Sequence, residues 1–261
     1  MSKNFPYNTG PLYDGGSPRD LSLATHEFGP HLAETTQRFI YGTRFLTWDG
    51  KVYKYSKSSG RCYTGRGNVF NNCIESDADG IDYAVLTADA GIGSTYIKMT
   101  NTGTAITEDF LAGGQITLKP TETYTDAHLM FRTIIGNSSA AATSGVCTIY
   151  LDSPLEIAMT TSNYAFAMPS PYNDISYTAS SAGKSFAGLA ATYISATGYN
   201  FWTQTYGACW IAPQAARVGG VALKRMVFWR EDGSVDAHSQ IGTNVTDQLA
   251  GVVLDNNDTA N

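Results

Sequence analysis

The stretch from Tyr83 to Leu118, YAVLTADAGIGSTYIKMTNTGTAITEDFLAGGQITL, constrains the fold more than any other part of the chain. Its apolar side chains alternate in runs too short for helices, and glycines cut the runs apart. In Thr95–Thr100, Thr95, Ile97 and Met99 fall on one face and Tyr96, Lys98 and Thr100 on the other, the period of two that a pleated strand imposes. Gly113-Gly114 allows a turn without a Cβ penalty, and Gln115–Lys119 then alternates again with Ile116 and Leu118 on one face. Asn101–Ala112 is rich in Thr and Gly and reads as a loop. A chain punctuated in this way buries its apolar side chains by pairing strands, and no residue in the stretch has the setting of a catalytic group.

The same grammar runs through the rest of the sequence. Phe39–Gly60 reads as a hairpin turning at Asp49-Gly50, a dipeptide suited to a type I′ turn. Phe45, Val52, Tyr53 and Tyr55 give it apolar faces. Lys51, Lys54 and Lys57 suggest a lysine-guarded edge strand, or a contact with an acidic protein surface. Further strands are expected near Val69–Phe70 and over His128–Ile135, Val146–Leu151, Leu155–Met159, Ser162–Met168, Val221–Arg230 and Leu249–Leu254. Gly136–Gly145 reads as a hairpin loop, Pro169-Ser-Pro171 as an exit from a sheet, and Ile175–Ala191 as a polar traverse outside the core. The expected class is all-β, a short-stranded antiparallel sandwich or barrel-like body with an extended N-terminal arm. The divisions are an arm over 1–36, a hairpin and connection over 37–80, and a central β domain over 81–173. An aromatic-rich β region over 174–254 is expected to pack on that domain, and 255–261 is a polar tail.

Composition narrows the function. Hydrophobic residues make up 43% of the 261 residues but charged residues only 15%, below the ~25% usual for soluble domains. A weakly charged surface suits a protein that ends packed against neighbours. The net charge of −6 offers no footprint for nucleic acid or an anionic membrane. No apolar run approaches the ~20 residues of a membrane span, and residues 1–30 do not read as a secretory signal. Of the 4 cysteines, Cys62 and Cys73 lie eleven apart, and Cys147 and Cys209 stand alone. That spacing is not a metal site. It reads as buried thiols, with a Cys62–Cys73 disulfide reserved for an oxidising medium.

Reaction chemistry finds no foothold. Gly183-Lys184-Ser185 imitates the end of a phosphate loop, but the required upstream glycine falls on Thr178. Gly91 and Gly93 lack the third glycine and the helix of a dinucleotide site. Asp126 and His128 have no nucleophile elbow, Glu122 and Asp126 read as solvated loop acids, and His26 and His31 are too far apart for a helical metal pair. The expectation is a non-enzyme without cofactor or metal.

Two stretches look made for contact. The arm carries Phe5, Tyr7, Leu12 and Tyr13 among prolines and glycines that forbid a helix or a central strand. It reads as a flexible tail or as a segment covered by the chain's own body or by another chain, and the expectation is that it lies extended on another subunit. Tyr193–Ile211 is the most aromatic segment. Trp202, Tyr206 and Trp210 share parity, so one strand face would hold all three. They read as a core or subunit-interface stripe, with Tyr199 a candidate self-association surface, or alternatively as a platform for stacking sugar rings. Asn137, Asn244 and Asn257 head glycosylation-type triplets, which a protein made in a bacterium would keep unmodified.

Taken in order, GIGSTYIKMT, AITEDFLAGGQITL, CTIYLDSPLEIAMTTSNYAFAMPSPYND and GYNFWTQTYGACW resemble a family of tailed-bacteriophage virion proteins, the capsid-stabilising, cement or head decoration proteins. The resemblance runs from about Gln37 to Leu254 and departs at Pro120–Leu129. It implies a structural protein on the outer surface of the virion head, made in the host cytoplasm, with the major capsid protein and itself, as a homotrimer, for partners. A glycan- or receptor-binding virion module and a head–tail or tail component are the alternative readings.

Overall fold

A computed structural model describes residues 12–13, 30–47, 49–71, 81–101, 103–120, 129–178, 184–213, 225–237 and 245–254. Regular structure among them is almost entirely strand. In chain order these are β1 (Leu12–Tyr13), β2 (Arg44–Leu46), β3 (Val52–Lys57), β4 (Asn68–Phe70), β5 (Ile81–Val85), β6 (Tyr96–Thr100), β7 (Gln115–Lys119) and β8 (Met130–Asn137). They continue as β9 (Val146–Leu151), β10 (Tyr164–Met168), β11 (Ile175–Ser176), β12 (Phe186–Ala190), β13 (Asn200–Tyr206), β14 (Met226–Arg230), β15 (Val235–Ala237) and β16 (Val245–Val252), with a 3-10 turn at Pro171–Asn173. The chain divides into two units, residues 75–171 and residues 1–74 joined by 172–261. The all-β class and the barrel-like body expected from the sequence are what is found.

Residues 75–171 form a six-stranded antiparallel sheet in the order β5-β10-β7-β8-β9-β6. The Leu86–Met99 bridge, with Thr87 N–H donating to the Lys98 carbonyl at 2.9 Å, brings β5 back beside β6 and closes a barrel. Alternation fills it: Ile97, Met99, Ile116, Leu118, Met130, Ile134, Ile149 and Leu151 point inward, with Ala84, Ala165 and Ala167 on the strands where space is short. Each such large side chain, fully covered, stabilises the fold by about 1.5–3 kcal/mol. The inward and outward residues of β6 and β7 are those that the sequence pattern names.

The other unit is built on a seven-stranded sheet, β1-β2-β3-β13-β12-β4-β11, antiparallel except for β1 beside β2. A parallel bridge from Ser58 to Ile175 returns β11 to the end of β3, so the sheet curls almost closed. β13 is its central strand. Phe201 enters a cluster with Cys62, Ile175, Ala187, Ala190 and Ile194, while Trp202 on the opposite face packs with Tyr41, Phe45, Tyr53 and Tyr55. A small sheet, β15-β14-β16, covers Val69, Phe186 and Leu189, with the Phe186 and Trp229 rings stacked at 4.9 Å.

Several expectations are corrected. The stretch Ile175–Ala191, expected outside the core, contributes to it at its described ends, since Ile175, Phe186 and Leu189 are buried and β12 lies inside the large sheet. β3 is flanked by β2 and β13 and is no edge strand. Its Lys54 ammonium donates to the Gly42 carbonyl at 3.0 Å, and Lys51 pairs with Asp49 at 2.8 Å. The hairpin turn is not type I′. Gly50 N–H donates to the Thr47 carbonyl, Gly50 alone of the Asp49-Gly50 pair has positive φ (81°), and Thr47 N–H closes onto Lys51, the three-residue connection with a glycine bulge. Leu155–Met159 contributes buried side chains without being a strand, and β8 runs two residues past Ile135. The division near 81 and 173 lies close to the unit boundaries, but the segments expected as separate regions on either side pair through β3 and β13 into one unit.

Candidate binding surface

Trp202 is not part of any surface. It is 2% exposed, with the rings of Tyr55, Phe45 and Phe39 at 5.1, 5.4 and 5.6 Å. The parity argument fails because a bulge between Gln204 and Tyr206 shifts the register and β13 ends at Tyr206. Tyr199 packs partly against the Phe201 cluster. Tyr206 and Trp210 are 71% and 72% exposed. The Trp210 ring lies against Gly65, where a Cβ would stand 2.5 Å from its Cζ3. Gln204 steadies the intervening loop by donating to the carbonyls of Gly207 (3.3 Å) and Ala208 (3.1 Å). Of the arm residues, Phe5 and Tyr7 lie outside the described residues. Leu12 and Tyr13 form β1 beside Phe45 and Leu46 of this chain's own sheet.

The loop Arg61–Gly67 carries a cluster that the sequence analysis missed. Cys62 and Ile194 exchange main-chain hydrogen bonds of 3.0 and 3.1 Å, and both side chains are buried. Tyr63 and Tyr193, their neighbours in sequence, therefore turn outward together, their ring centroids 5.7 Å apart. Tyr177 N–H donates to the Arg61 carbonyl at 2.7 Å, which sets the Tyr177 ring edge-on to Tyr63 at 4.6 Å. Arg61 Nη1 donates to Tyr63 Oη and Arg66 Nη1 to Tyr177 Oη, each at 3.3 Å. Only the aromatic run beginning at Tyr193 signalled the place, because Tyr63 and Tyr177 stand alone in sequence.

On the barrel, the outward faces carry large apolar side chains in register. Tyr96 lies directly opposite Tyr150, with Val146 four residues back along β9, and all three are exposed. Across β10, β7 and β8 a row runs Phe166, Thr117, Phe131, with Phe131 65% exposed, and Met168 lies in the next row opposite Gln115.

The groups considered for reaction chemistry are placed as follows. Lys184 Nζ donates to Asn71 Oδ1 at 2.8 Å, a tie between two segments of one unit. His31 Nδ1 lies 3.2 Å from the Ala191 carbonyl. Glu122, Asp126, His128, His26, Gly183 and Cys73 lie outside the described residues. Burial pushes the Cys62 thiol up to about 12 and the Cys147 thiol up to about 11, so both stay protonated. Among the described residues no group of three or more His, Cys, Asp or Glu side chains could hold a metal ion. No protein-family model, no curated protein and no solved structure matches the chain.

Proposed function

We propose that the chain is a structural virion protein that binds the outer surface of a tailed-phage head and stabilises it by bridging neighbouring coat subunits, as a homotrimer. The observation that carries the reading is the outward face of the barrel, where Tyr96, Tyr150, Val146 and Phe131 stand exposed on paired strands. Strands hold such side chains in fixed rows, so little order is lost when a second surface covers them. The order of segments that resembles the decoration family and the 15% charged content support the same reading. Mechanically, each copy spreads contact over two or more coat subunits. An interface of about 1,600 Å² with a well-packed centre suffices for one stable contact, and repetition over the shell adds avidity.

The test is binding of the purified protein to heads that lack it, with copy number read from a calibrated gel. Many copies per head are expected, and Phe131→Asp or Tyr150→Asp should strip the protein from heads at lower salt or temperature while leaving its own melting temperature nearly unchanged. A few copies per particle would assign it to the head–tail connection instead, and no binding to heads would sink the reading.

A further inference from the structure

We infer that the Arg61–Gly67 loop, together with Tyr177 and Tyr193, is a binding site for a pyranose sugar that carries a carboxylate. This goes beyond the capsid reading and does not depend on it.

The site is built before any ligand arrives. Asn68 is fully buried, and its amide grips the loop from beneath: Oδ1 accepts from Tyr63 N–H at 2.9 Å, and Nδ2 donates to the carbonyls of Tyr63 (3.0 Å), Arg66 (3.2 Å) and Gly188 (3.3 Å). The Cys62–Ile194 bridge fixes one flank, and Ala212 N–H donating to the Gly65 carbonyl at 2.8 Å fixes the other. A buried polar side chain that both shapes an exposed turn and ties it to β12 is what preorganised recognition requires.

The ligand class follows from what the frame presents. Tyr193 is 51% exposed, so its ring offers an open face, and the apolar C–H face of a pyranose stacks on such a ring. The phenol oxygens of Tyr63 and Tyr177 already accept from guanidinium groups, which leaves their O–H hydrogens to be donated elsewhere, as a rim of sugar hydroxyls would use. Arg61 is exposed and, among the described residues, spends one donor on Tyr63 Oη. A guanidinium fork pairs two donors with a carboxylate in one plane, which selects an acidic sugar over a neutral one. Arg66 is also drawn toward Asp232, at 3.7 Å, so Arg61 is the better placed of the two. The net charge of −6 argues against a nucleic-acid strand on the same aromatic rings.

The experiment is saturation-transfer NMR on the full chain with sodium glucuronate and N-acetylneuraminic acid, the two sources of that chemistry, beside glucose and a ten-residue oligothymidylate. At least one acidic sugar should receive saturation on its ring C–H protons and bind at least fivefold more tightly than glucose. Arg61→Gln should remove that preference, and Tyr193→Ala should abolish the C–H signal. Arg61 is fully exposed, so its variant carries the test alone if Tyr193→Ala disturbs folding. No transfer to either acidic sugar, equal binding of glucose, tighter binding of the oligonucleotide, or a preference untouched by Arg61→Gln would each overturn the proposal.

Discussion

Asn137 looks in the sequence like a glycan acceptor and behaves in the structure as a strut. Its Oδ1 accepts from Leu111 N–H at 2.7 Å and its Nδ2 donates to the carbonyls of Thr107 (3.0 Å) and Ser138 (2.9 Å), all at a position 1% exposed. Asn137→Ala strands a buried donor and acceptors together, so a loss of about 2–3 kcal/mol is expected in urea unfolding. The thiols behave as a second set of struts. Cys62 Sγ lies 3.5 Å from the Ile175 carbonyl and Cys147 Sγ 3.3 Å from that of Ser138. Their folded values, about 12 and about 11, lie above the ordinary thiol value of 9.0. Their contribution is therefore complete below about pH 9 and is lost as pH rises toward 11–12, because the unfolded chain releases those protons first. Stability should fall from about pH 9 toward pH 11 in a urea series, and Cys62→Ala should flatten part of that fall. Of Cys62, Cys147 and Cys209, only exposed Cys209 should react with a thiol reagent in the native protein at pH 8.

Strands whose alternation is unbroken were readable in advance, and those interrupted by a bulge were not. β6, β7 and β9 follow the period of two and lie where the pattern puts them. β12 does not. Phe186 and Leu189 fill one cluster while Ala187 and Ala190 fill another, a spacing of three made by the irregularity at Gly188. That glycine sits at φ 136°, and a Cβ there would stand 2.2 Å from the Gln204 carbonyl oxygen. A segment of small residues with broken alternation looks like a loop until a partner strand is known. The same effect misplaced Tyr206 and Trp210, since the bulge after Gln204 is invisible to parity counting. The tyrosine cluster was hidden for another reason, because its rings come from three segments far apart in sequence. Gly188→Ala should force β12 and β13 apart and lower the midpoint of thermal unfolding by roughly 6–12 °C, at a cost of about 3 kcal/mol. A variant that melts like the parent would show that the sheet can absorb a methyl group there.

At the scale of the molecule, one unit is inserted within the other. Residues 75–171 interrupt a sheet whose strands come from both sides of the insertion. The barrel's first and last strands are neighbours, Ile81 lying opposite Ala167, so the chain arrives and leaves side by side. Expressed alone, residues 75–171 should give a β-type circular dichroism spectrum and unfold in a single cooperative transition, and a fragment that stays unfolded would refute this independence. The nesting also bears on how the protein is made. Ser56 and Thr203, whose hydroxyls lie 2.8 Å apart across β3 and β13, are separated by 147 residues, which a ribosome takes roughly 7–30 s to add. During that interval β3 has no partner of its own to await but β13, while every strand of the barrel has already been synthesised. Once the barrel closes it clips together the two ends of its own segment and shortens the remaining loop by more than half, lowering the entropy of closing the outer sheet by about 0.6 kcal/mol or slightly more. In refolding followed by pulsed hydrogen exchange, the amides of Ile97 and Ile149 should gain protection before those of Tyr55 and Phe201, with the inserted unit acting as a fastening made early for a sheet completed late.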